Sequence, residues 1–120
     1  MSLTPPDFDP LAIVVDWLDA CRVGDLDALL DMYDERATVE CGCEKVSLTG
    51  RASLSAYWSS RLERRSLGAF ALEDMAVTQD GVMVDYRDYA SNSVRIHFRF
   101  NSTGQIMHTN CGRAHQRLSA

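Results

Sequence analysis

Gly24-Asp25-Leu26-Asp27-Ala28-Leu29-Leu30-Asp31-Met32-Tyr33, continued by Ala37-Thr38-Val39-Glu40, is the stretch whose reading decides the fold. Gly24 tolerates the left-handed conformation that closes a helix, so it ends the helix that precedes it. Asp25 is then a cap, and Leu26, Leu29, Leu30 and Tyr33 follow at helical spacing, which predicts a second helix of about two turns. At Ala37 the pattern changes. Thr38 and Val39 are β-branched and the acids thin out, so a strand is expected as far as Cys41.

Working back from Gly24, Ile13, Trp17 and Cys21 recur every four residues with Val14 and Leu18 beside them, the apolar face of an amphipathic helix. Asp9 and Pro10 are its cap and first residue. Residues 1–9, with two of the three prolines, are expected to form a short arm, and residues 10–117 a single domain. Working forward, residues 41–50 read as a loop carrying a short strand. A third helix is expected from Arg51 to Arg65, with Leu54, Tyr57, Trp58 and Leu62 on its apolar face and a break at Ser66–Gly68. Four strands follow: Phe70–Thr78, Val82–Ala90, Val94–Phe100 and Gln105–His115. Gln79-Asp80-Gly81 marks a hairpin because Asp and Gly accept positive φ. Val94, Ile96, Phe98 and Phe100 alternate with Arg95, His97 and Arg99, one face apolar and the other polar. Helices segregated on one face of an antiparallel meander define an α+β domain. A strongly curved sheet of this size encloses a space that helices cap, a natural ligand site.

Composition excludes several functions. The 120 residues are 46% hydrophobic and 24% charged, the balance of a globular chain and not of a disordered one. No apolar run approaches the roughly 20 residues that cross a bilayer. The longest, Leu11–Val15, lies between acids and lacks a basic flank, so no signal peptide is expected and the cytoplasm is the expected location. Residues 1–50 hold eleven acids and three bases, whereas residues 51–120 hold six acids, nine arginines and all three histidines. Those bases are scattered and the net charge is −5, which argues against a nucleic-acid partner. Four cysteines (Cys21, Cys41, Cys43 and Cys111) match neither a secreted disulfide framework nor a zinc ribbon, and Cys41-Gly-Cys43 lacks a thioredoxin-like spacer. Burial as small hydrophobes is the expected use of these thiols, and no metal or other cofactor is implied.

Trp17-Leu18-Asp19-Ala20 through Tyr33 and Ala37–Glu40 resembles the first two helices and first strand of the NTF2-like superfamily, which includes ketosteroid isomerases and SnoaL-like polyketide cyclases. Gly50-Arg51 leading to Tyr57-Trp58 is similar to the usual opening of the third helix. His97-Phe98-Arg99-Phe100-Asn101 with Gly104-Gln105-Ile106 resembles the late hairpin. The resemblance implies a cone-shaped fold, three N-terminal helices packed on a curved, mainly antiparallel sheet. It also implies dimerisation through the outer sheet face, where His97, His108, Arg95 and Arg99 are expected. Ketosteroid isomerases use a carboxylate base, a tyrosine and a protonated aspartate. Aligned without gaps, this sequence places Cys41, Trp17 and Ile96 at those three positions, so that mechanism is not expected.

The same alignment turns Cys41, Ile96, Phe98, Thr109, Cys111 and Arg113 toward the cavity, with Trp17 and Trp58 near its wall. If Val82, Val84 and Tyr86 define an inward face, Tyr86 lines the pocket and Asp88 joins it. Asp88 and Arg113 are the candidate catalytic pair, since an acid and a base converging in an apolar pocket shift one another's charge state; a cross-strand salt bridge is the plainer reading of the two. Three functions follow as expectations: a binder of a small apolar, cyclic molecule; a SnoaL-like cyclase, hydratase or hydrolase acting through Asp88 and Arg113; and a non-catalytic dimeric association module.

Overall fold

The computed structural model describes residues 8–42 and 45–113, the side chain of Arg113 excepted. Most of the expected arm therefore lies outside the described residues, as do residues 114–117. Within them, Asp9 starts helix α1 (Pro10–Val23): one carboxylate oxygen accepts from the N–H groups of Leu11 and Ala12 at 3.0 and 3.4 Å. Gly24 ends it at φ 75°, satisfying the carbonyls of Ala20 and Cys21. Asp25 caps helix α2 (Leu26–Asp31) through the Ala28 N–H. Strand β1 (Tyr33–Cys41) begins at once. Tyr33, expected to end the helical run, is instead its first residue, because its ring is drawn into the core and its hydroxyl accepts from Trp17 Nε1 at 3.1 Å.

Strand β2 (Val46–Thr49), helix α3 (Arg51–Glu63) and strands β3 (Leu72–Thr78), β4 (Gly81–Arg87), β5 (Ser93–Phe100) and β6 (Ile106–Arg113) complete the order. The six strands lie as β2-β1-β6-β5-β4-β3, antiparallel except for the parallel pair β1/β6. Register shifts in β1/β6, β3/β4 and β5/β6 interrupt the ladders, and such irregularities bend a sheet. The curved sheet carries α1–α3 on its concave side, the α+β architecture that the sequence implies.

Rungs across the sheet show how the concave face is built. Val84, Ile96, Cys111 and Cys41 are successive Cα partners on one rung; Val82, Phe98, Thr109 and Val39 form the next. On the convex side, Arg95 holds Asp85 with two hydrogen bonds of 2.7 and 3.0 Å, His97 meets Thr78 and Asp80, and His108 meets Glu40. The alternation read along β5 thus separates core from surface.

The Thr78↔Gly81 pairing closes the β3/β4 hairpin where the sequence places it, but for a different reason. Gly81 does not adopt a positive φ. A Cβ there would stand 1.8 Å from the Phe98 carbonyl oxygen, so close backbone approach is what demands glycine.

The core centres on Trp17, wholly buried. Its ring meets Phe98, Tyr86, Trp58 and Phe70 edge-on, with centroids at 5.0, 5.4, 5.6 and 6.4 Å. Edge-to-face pairs of this kind contribute about 0.5–1.5 kcal/mol each beyond area burial. The space beneath the helices is therefore largely filled with aromatic rings.

Candidate functional site

At one end of the sheet the packing loosens. A small cavity lies between α3, the paired ends of β1 and β6, and the turn joining β4 to β5. It is lined by Cys41 and Cys111 on the strands, Tyr57, Trp58 and Arg61 on α3, and Asp88 and Tyr89 on the turn, with Phe70, Tyr86 and Val94 beneath. Its volume is about 30 Å³. One or two waters fit such a space, whereas drug-sized ligands occupy pockets of roughly 300–1,000 Å³. A wider groove of about 660 Å³ between the end of α1 and residues 63–71 is open to solvent. There Arg65 is spent on the carbonyls of Arg22 and Leu62, so the smaller, more sheltered cavity offers the better site.

Each wall has a local cause. Tyr57 and Arg61 are one helical turn apart, and the guanidinium carbon lies 3.7 Å from the Tyr57 ring centroid and 5.4 Å from that of Tyr89. Asp88 holds its own turn: one carboxylate oxygen accepts from the N–H groups of Ala90 and Asn92, both at 2.9 Å. That is an Asx-type turn, and it keeps the carboxylate at the rim. Cys41 and Cys111 face each other across β1/β6 with their sulfurs 3.1 Å apart. The Trp58 indole N–H is buried near the Tyr33 hydroxyl, which takes its well-formed hydrogen bond from Trp17 and leaves Trp58 without one of good geometry.

Burial sets the protonation of the inner groups. It pushes the phenols of Tyr57, Tyr86 and Tyr33 upward, for Tyr33 against the opposing indole N–H groups of Trp17 and then Trp58, and it pushes the Cys21 thiol up in the same way. All four are neutral at physiological pH, so none supplies a phenolate or thiolate. Among the described residues no group of three or more His, Cys, Asp or Glu stands together as a metal site. No helix among them is long and apolar enough to cross a membrane.

Of the residues singled out from sequence, Cys41, Trp58, Tyr86, Asp88 and Cys111 line the cavity. Trp17, Ile96, Phe98 and Thr109 are also buried, in the packed core beside it, and do not line it. Arg113 is paired through its Cα with Val94, on the rung of Tyr86; its side chain lies outside the described residues. Tyr57, Arg61, Phe70, Tyr89 and Val94 were not anticipated as lining. The i, i+4 spacing of Tyr57 and Arg61 was the one available signal. Phe70 gives none, since its place depends on a left-handed backbone, φ 63°, held by its N–H to the Arg87 carbonyl.

The family model of the SnoaL-like domain matches residues 14–113. Among solved structures, a SnoaL-like protein of unknown function from Burkholderia thailandensis is 19% identical, with a TM-score of 0.75 over 88% of this chain and 94% of that one. A putative polyketide cyclase from Sinorhizobium meliloti is 20% identical, with a TM-score of 0.72 over 88% of this chain and all of that one. The orange carotenoid protein of Anabaena (Nostoc), solved with canthaxanthin bound, is 14% identical, with a TM-score of 0.66 over 92% of this chain and 38% of that one. At such identities the match is one of fold. A search of curated proteins returns no match.

Proposed function

From the premise that the chain belongs to the SnoaL-like domain family, within the NTF2-like superfamily, we propose that it is a small-molecule-binding protein whose ligand enters between α3 and the β1/β6 edge of the cavity. The observation that carries this reading is the buried Trp58 indole N–H, which the Tyr33 hydroxyl approaches without a well-formed hydrogen bond, on a ring that forms one cavity wall. Such a group costs about 1–3 kcal/mol, which an acceptor atom brought to it recovers. The surrounding rings and thiols favour apolar surface. The ligand class is therefore a small, apolar, cyclic molecule carrying one acceptor oxygen. At about 30 Å³ the cavity must widen to admit a ring, by displacement of Tyr57, Trp58 and Arg61 at its mouth. One neighbour of the same fold, solved with a carotenoid bound, supports an apolar ligand.

Native mass spectrometry of the protein with cyclic ketones (cyclohexanone, camphor, decalone) tests the reading. One-to-one complexes are expected for the natural chain and their loss for Cys111→Phe, which fills the mouth; circular dichroism checks that this variant folds. Equal complex formation by both proteins, or none by either, counts against the proposal.

A second reading rests on Asp88, which places a carboxylate on the cavity rim. In it, Asp88 and Arg113 act on the bound ring as an acid–base pair, as in a cyclase, hydratase or hydrolase. Asp88→Asn separates the two. Asparagine keeps an oxygen to accept the Ala90 and Asn92 amides, so the turn survives and only the charge is lost. Unchanged turnover and affinity in that variant remove the catalytic role. The proposal includes a cytoplasmic homodimer joined through the convex face around His97 and His108. Sedimentation at several concentrations decides that point, and a strict monomer overturns it.

A further inference from the structure

We propose that Cys41 and Cys111 form a dithiol site that exchanges reversibly with low-molecular-weight disulfides of the glutathione class. Three observations meet there. The two residues are Cα partners on the neighbouring strands β1 and β6. Neighbouring strands lie about 4.8 Å apart, inside the window of roughly 4.4–6.8 Å that a disulfide spans. Their sulfurs are already 3.1 Å apart and have to close to about 2.05 Å, a shift of roughly 1 Å shared by two side chains. The backbone beside them is held in place by the Gly42 N–H bond to the Cys111 carbonyl at 2.8 Å, so bridging needs no rearrangement of the strands.

The surroundings order the chemistry. Cys41 is 7% exposed, whereas Cys111 is half-buried at the cavity wall, which makes Cys111 the sulfur that meets a reagent first. Cys111 loses its proton to solvent, and its thiolate attacks one sulfur of the small disulfide. The reagent's sulfur–sulfur bond breaks, one thiolate leaves, and a mixed disulfide remains on Cys111. Cys41 then loses its proton and attacks the Cys111 sulfur, expelling the second small thiolate and forming the Cys41–Cys111 bond. Two protein thiols are oxidised and one small disulfide is reduced to two thiols. An excess of reduced thiol drives the same steps backward. Cys21 takes no part: it is fully buried in α1 and its thiol is pushed up by burial.

The site stands apart from the ligand proposal, since it needs only the two sulfurs and the reagent. The test is incubation of the whole chain with oxidised glutathione, followed by alkylation and peptide mapping, with Cys43→Ser treated in parallel. The expected result is loss of two hydrogen atoms, a Cys41–Cys111 linkage in both proteins, and full recovery with dithiothreitol. Cys41→Ser should stop at a glutathione adduct on Cys111, and Cys111→Ser should lose thiol about tenfold more slowly or worse. A linkage through Cys43, a stable single adduct on the natural chain, or no oxidation while the chain stays folded overturns the proposal.

Discussion

Replacing Trp17 by phenylalanine, alone and together with Tyr33→Phe, probes the centre of the fold. Trp17 Nε1 donates to the Tyr33 hydroxyl at 3.1 Å, with both residues at most 5% exposed. Trp17→Phe removes that hydroxyl's well-formed donor, leaving only the poorly aligned Trp58 N–H nearby, a loss of about 1–3 kcal/mol, and weakens edge contacts to Phe98, Tyr86, Trp58 and Phe70 by about 1 kcal/mol more. The single variant should therefore lose about 3 kcal/mol. Tyr33→Phe strands the indole N–H and should lose about 2 kcal/mol. In the double variant neither polar group is left behind, so its loss should fall short of the sum by about 1–2 kcal/mol. Urea denaturation of the four proteins measures each value, with constant slopes confirming that the native and denatured states are comparable. Losses that add to within about 0.5 kcal/mol would refute the argument, because the two groups would then not be coupled.

Gly81→Ala should lose about 2 kcal/mol or more, read from the same urea curves, since its Cβ would meet the Phe98 carbonyl at 1.8 Å. Asp34 should titrate below the usual aspartate range, because the Arg36 N–H and then the Asn101 amide hydrogen-bond its carboxylate. A folded-state pKa below the unfolded one gives stability that is present above the unfolded value and lost as pH falls through the folded one. NMR titration of the carboxyl carbon should show that depressed midpoint, with Asn101→Ala moving it back up. The oxidised Cys41–Cys111 form should unfold at higher urea than the dithiol form. Linking residues 70 apart removes about 4.4 kcal/mol of chain entropy from the unfolded state in the ideal-chain limit.

The helices and the concave face were legible because local signals agreed with the global fold. Asp9 and Asp25 are side-chain caps, Gly24 is a left-handed stop, and Val94, Ile96 and Phe98 alternate with surface residues. The start of β1 was missed because Tyr33 continues a helical pattern in sequence, while a contact with Trp17, sixteen residues away, takes its side chain into the core. Gly81 reads in sequence as a positive-φ turn residue, because residue identity does not show a carbonyl from β5 approaching its Cα. The site was legible as a set of inward-facing residues but not in size. Whether Trp17, Phe98 and Phe70 leave room beneath the helices depends on how their rings interlock, which residue identity does not encode. Arg61 escaped notice because a charged residue on a helix ordinarily reads as solvated; here the rings of Tyr57 and Tyr89 draw it over the cavity.

The central claim, that a ligand acceptor reaches the Trp58 indole in a cavity Trp17 does not line, is tested most directly by the two indole N–H resonances. The chain has only two tryptophans, so each signal can be assigned with a single Trp58→Phe variant. Titration of the nitrogen-labelled protein with camphor should move the Trp58 signal saturably while the Trp17 signal, already bonded to Tyr33, stays nearly fixed. A Trp58 signal that does not move with any of the cyclic ketones, or that moves no further than that of Trp17, would contradict the account.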